Sequence, residues 1–132
     1  MSRWKPLSLA IALAIMLPAA CTRQSAVADE APDIKTEISL RPDPPVVGKA
    51  LIVVEISDQQ GQPIEGLNLT MKGDMTHAGM TPVLGSSTYQ GDGLYTVPIE
   101  WTMAGDWILQ LTAEMPDGRL LKRSVNLQVS PD

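Results

Sequence analysis

From Ile34 onward the chain alternates apolar and polar side chains with a period of two. Ile34, Thr36, Ile38 and Leu40 face one way while Lys35, Glu37, Ser39 and Arg41 face the other, the pattern of a half-buried strand. The cluster Pro42-Asp43-Pro44-Pro45 stops it. Val46 to Asp58 carries the most apolar run after the N-terminal segment, with Ile52, Val54 and Ile56 on one face and Leu51 and Val53 on the other, and reads as a central strand. Gln59 to Pro63 is a turn, after which Leu67, Leu69 and Met71 form the inward row of a third strand. Another short strand is expected within Thr81 to Gln90. Gly91-Asp92-Gly93 is a turn signal before Tyr95, Val97, Ile99 and Trp101, which share a face. Pro98 cannot donate to a ladder, so an edge or a bulge is expected there. Trp107, Leu109, Leu111 and Ala113 form the next row, Pro116-Asp117-Gly118 turns the chain, and Leu121, Val125, Leu127 and Val129 close it.

Seven short strands with turn signals every 8 to 12 residues or so, and no 3.6-residue pattern after the N-terminal segment, predict an all-β, immunoglobulin-like antiparallel β-sandwich over residues 34–132. Tyr95, close behind a Gly-rich turn, matches the tyrosine corner of such sandwiches, and Trp101 and Trp107 are expected in the core.

The first 20 residues do not belong to that sandwich. Arg3 and Lys5 precede an apolar run from Leu7 to Leu17, followed by Ala19 and Ala20, which reads as an export signal. The run is shorter than the about 20 apolar residues a membrane helix needs. Leu17-Pro18-Ala19-Ala20-Cys21 resembles a lipoprotein box, which would make Cys21 the acylated first residue; Ala26-Val27-Ala28 is the alternative site, cut before Asp29. Residues 21–33 read as a flexible tether. Both cleavage sites place the domain outside the cytoplasmic membrane, with membrane contact only through an N-terminal lipid.

Cys21 is the single cysteine, so the fold has no internal disulfide. Removing residues 1–20 lowers the basic count from 10 to 8 against 15 acidic residues, a net charge of -7. That balance argues against nucleic acid and anionic lipid as partners.

Candidate chemistry is confined to Met71-Lys72-Gly73-Asp74-Met75-Thr76-His77-Ala78-Gly79-Met80. Three thioethers and the only histidine of the sequence fall within it, a donor set that suits Cu(I) better than hard cations. Were Asp74 to His77 extended, Met75 and His77 would project to the same side, and Met80 could fold back past Gly79. Met71 continues the inward row of its strand and is either a fourth ligand or a core side chain. Methionine also fills irregular cores, so clustering and not the residue type carries the metal reading. Met103, between the two tryptophans, is a further side chain that could line the loop.

Other chemistries lack their parts. A blue-copper centre needs two histidines and a cysteine thiolate, a zinc site more His, Cys or carboxylate at close spacing. Ser86 and Ser87 lie downstream of His77 without a Gly-x-Ser-x-Gly elbow. No catalytic apparatus is expected.

Met75-x-His77-x-x-Met80 after a strand, Gly91 to Tyr95, and Trp101-Thr-Met-Ala-Gly-Asp-Trp107 resemble the YtkA-like domain, related to FixH-type proteins, over about Ile34 to Val129. The resemblance implies a small extracytoplasmic protein, often lipid-anchored, with an immunoglobulin-like sandwich and a link to copper handling. Carried over, it implicates Met75, His77 and Met80 as ligands and Met71 less securely. Unlike the membrane-anchored FixH arrangement, this sequence has no true spanning helix. The expected function is a Cu(I) carrier or buffer serving a copper-donating or copper-receiving extracytoplasmic protein. The alternative is a metal-free interaction module using the same loop or a sheet edge.

Overall fold

A computed structural model describes residues 31–132. The export signal, Cys21, the alternative cleavage site and all but the last three residues of the tether lie outside the described residues. Within them the chain forms β1 (Ile34–Arg41), β2 (Gly48–Asp58), β3 (Asn68–Met75), β4 (Val83–Ser86), β5 (Thr88–Gly91), β6 (Leu94–Trp101), β7 (Gly105–Glu114) and β8 (Leu120–Val129). They make two antiparallel sheets, ordered β1-β2-β6-β5 and β4-β3-β7-β8. Among the described residues no helix is long and apolar enough to cross a membrane.

The inward rows read from the alternation form the core. Ile52, Val54 and Ile56 of β2 and Tyr95, Val97 and Trp101 of β6 face Leu69 and Met71 of β3 and Trp107, Leu109, Leu111 and Ala113 of β7, all buried. Tyr95 is the tyrosine corner expected from its position. Its hydroxyl donates to the Ile64 carbonyl at 2.8 Å and accepts from the Leu67 amide at 3.2 Å, tying the β2–β3 connection to β6. Burial raises its pKa by disfavouring the phenolate. The Asp92-Gly93 turn has both residues at positive φ, 51° and 74°, the two-residue geometry that matches strand twist.

The structure differs from the sequence expectation in one element. Thr81 to Gln90 is two strands in different sheets, which raises the count from seven to eight. Ser87 makes the switch. Its amide donates to the Leu69 carbonyl at 3.0 Å, while its hydroxyl accepts from the Leu69 amide at 3.1 Å. A side-chain oxygen thus replaces the carbonyl that a continuing strand would offer, and the main chain is released to pair with β6. β5 begins at Thr88, opposite Thr96, so Pro98 lies beyond its reach and β6 is paired there only with β2. The missing donor at Pro98 therefore leaves no ladder bond broken.

Candidate metal centre

The inward face of β3 runs Leu69, Met71, Gly73, Met75, and its third member has no side chain. Two indoles use the space. A Cβ on Gly73 would stand 3.4 Å from Cζ3 of Trp101, 3.5 Å from Cε3 of Trp107 and 2.8 Å from Cγ2 of Val83. The indoles meet edge to face, with ring centroids 5.2 Å apart and planes at 63°. Glycine here is a packing requirement: the end of the sandwich is filled from the neighbouring strands.

That arrangement separates Met71 from the rest of the cluster. Met71 is 1% exposed and sits opposite Leu111 in the core. Four residues along a strand put its Cα about 13 Å from that of Met75, with Gly73 and the indoles between. Of the two roles the sequence leaves open for Met71, the packing supports core.

Met75 is the last residue of β3, in register with Trp107 and half-buried beyond the indole pair. Its terminal methyl lies against Gly105, where an added Cβ would come within 2.9 Å of Cε. Gly105 has a φ of 135°, a conformation side chains rarely adopt, so the backbone calls for glycine there, while the methyl ends a flexible side chain that could shift. The strand ends here, so the condition on which alternation would bring Met75 and His77 to one side, an extended run from Asp74 to His77, is not met. The Thr76 amide donates to the Asp106 carbonyl at 3.2 Å, and a bend and turn follow over 76–79, with Gly79 at a φ of 85°. His77, Ala78 and Gly79 are exposed and Met80 is half-buried as the chain returns to β4. Any convergence of Met75, His77 and Met80 therefore comes from the reversal at Ala78-Gly79 and not from strand alternation.

The β6–β7 connection runs beside this loop. Trp107 Nε1 donates to the Met103 carbonyl at 3.0 Å, and the Met103 side chain is 48% exposed. An open cleft of about 430 Å³ borders the loop at Thr76 and continues along Asp106, Ile108, Asn126 and Gln128; no thioether lines it. On the outer face of β3, Lys72 pairs with Asp74 at 2.7 Å. Among the described residues no three His, Cys, Asp or Glu side chains group as metal ligands. The donors gathered at this end are thioethers and one imidazole, a set that fits a soft monovalent ion. The packing roles of Gly73 and Gly105, the two glycines that shape this end of the sandwich, are not read from the sequence. Their signal is a glycine within an inward strand row and another as the first residue of a strand.

A family model described as YtkA-like matches residues 29–112, from the tether through the Met/His loop and into β7. The crystal structure of a DUF4426 family protein from Pseudomonas aeruginosa is similar, with a TM-score of 0.57 at 14% identity over 76% of this chain and 94% of that one. The PmoD soluble domain from a Methylocystis species gives a TM-score of 0.47 at 14% identity, covering 72% of this chain and 90% of its own. Murine CRIg gives 0.43 at 12% identity, covering 74% and 98%. At these identities the likeness to solved structures is one of fold alone. No curated protein sequence matches the chain.

Proposed function

The chain belongs to the YtkA-like family, and on that premise we propose that it is an extracytoplasmic, lipid-anchored, non-enzymatic Cu(I)-binding protein that carries or buffers copper for a partner. Met75, His77 and Met80 are the ligands, and copper is cargo. The observation that carries this reading is that the sole histidine and two thioethers fall between the last residue of β3 and the start of β4 at one end of the sandwich, with His77 exposed. Thioethers ligate without releasing a proton, so copper can pass by ligand exchange to an approaching protein without an acid or base. Met71 remains in the core.

Titration of Cu(I) against a competing chelator tests the assignment. His77→Ala and Met75→Ala are expected to weaken binding at least about tenfold each, the lower bound for residues that merely support a metal ligand. Unchanged affinity in both variants removes the site.

A second reading, a metal-free interaction module, is favoured by the unpaired outer edge of β4, the edge strand that follows the loop, where Leu84 is 73% exposed. Metal analysis of protein isolated from a copper-supplemented periplasm separates the two, since this module would be recovered without copper.

A further inference from the structure

We propose that Met103, on the connection between β6 and β7, supplies a third thioether to the Cu(I) site; the inference rests on the copper reading and extends its ligand set beyond the loop that carries it. Exposure sets Met103 apart from the methionines with a packing role. Met71 is 1% and Met115 6% exposed, whereas Met103 is 48% exposed. Its side chain fills no gap in the core.

Trp107 brings Met103 and Met75 together. The Trp107 backbone is the register partner of Met75, and its indole N–H holds the Met103 carbonyl at 3.0 Å. The indole is itself 1% exposed and packed against Trp101, so the Met103 backbone is anchored on a rigid group. Gly105 fixes the separation from the other side. The Met75 methyl lies against it, and two residues of chain place the Met103 Cα no more than about 7 Å from the Gly105 Cα. An unbranched methionine with three rotatable side-chain bonds spans that interval. Met75 and Met103 then approach the loop from its β7 side while His77 and Met80 come from the loop itself. Three thioethers and an imidazole complete a four-coordinate soft site. A ligand contributed by a separate connection also ties the loop to the domain when the ion is bound.

The test compares the full chain with its Met103→Leu variant, a swap of similar volume at an exposed position, which should leave the unfolding midpoint unchanged. Competition titration with Cu(I) and X-ray absorption spectra that give the number of Cu–S bonds are measured on both, with Met103→His as a variant that restores a donor. The expected result is an affinity about tenfold lower or more in Met103→Leu, with one fewer sulfur bound to copper, and recovery with an added Cu–N bond in Met103→His. Equal affinity and equal sulfur coordination in wild type and Met103→Leu would overturn the assignment of Met103 while leaving the loop site standing. Absence of Cu(I) binding by the wild-type chain overturns both.

Discussion

Gly73 decides more about the packing at the Met/His end of the molecule than any side chain there. Replacing it with alanine drives a Cβ to 2.8 Å from Val83 and presses on both indoles. The stiffer unfolded chain would return about 0.5–1 kcal/mol, but overpacking a filled core costs about 1–3 kcal/mol, so the collision prevails. Gly73→Ala is expected to lower the urea midpoint and to shift the tryptophan emission, both read in one denaturation series. The same residue explains why the role of Met71 was open in the sequence. Alternation places Met71 and Met75 on one face, as observed, but says nothing of which neighbours fill the gap between them. The indoles that do so come from residues 101 and 107, far along the chain. The orphaned N–H of Trp101, buried without a partner, was equally invisible in the one-dimensional pattern.

At the level of strands, alternation was a sound guide wherever an element buries one face and meets solvent with the other, as β1, β2, β6 and β7 do. It failed between Thr81 and Gln90, because β4 and β5 are short, largely exposed and joined by the single residue Ser87. What separates them is a hydroxyl standing in for a carbonyl, a substitution that leaves no periodic trace. The junction of the tether with β1 shows another long-range feature. Arg119 pairs with Asp33 at 3.0 Å and with Asp117 at 2.7 Å, and Arg123 donates to the carbonyls of Ala31 and Ile34. The hydrogen bond from Arg119 holds the Asp33 carboxyl below its usual 3.8, and the backbone and side-chain bonds from Arg119 do the same for Asp117. Both carboxyls are depressed in the folded state, so their contribution is complete above pH 3.8 and is lost as pH falls through the lower folded values. Arg119→Ala should therefore lose a small amount of stability at neutral pH, as exposed pairs do, and converge on wild type in acid. Thermal melts at neutral pH and in acid well below the carboxyl's ordinary 3.8 would read the convergence.

For the molecule as a whole, the buried residues of both sheets form one cluster from Ile34 to Val129. A single core without internal partition unfolds as a unit in domains of this size. Trp101 and Trp107 report from one end of that core and far-UV circular dichroism from all strands, so the two denaturation curves should superimpose. Separate midpoints would divide the core. Fold class was legible because the long strands alternate around this cluster. That Met75, His77 and Met80 lie near one end was legible because they are close in sequence; that the β6–β7 connection runs beside them emerges only when residues 75 and 107 are paired.

The register also gives the molecule two unlike poles. Ile34 opposite Asp58, Asn68 opposite Glu114 and Glu114 opposite Leu120 mark one, where Arg119 and Arg123 grip the incoming chain. Gly48 opposite Trp101 and Met75 opposite Trp107 mark the other, about 25 Å away along eight strand residues. The described chain therefore enters at the heel, and the sulfur-bearing tip lies at the far end of the strands. A partner at the heel meets the β5–β6 and β7–β8 turns and the β2–β3 connection; one that touches His77 docks at the opposite pole.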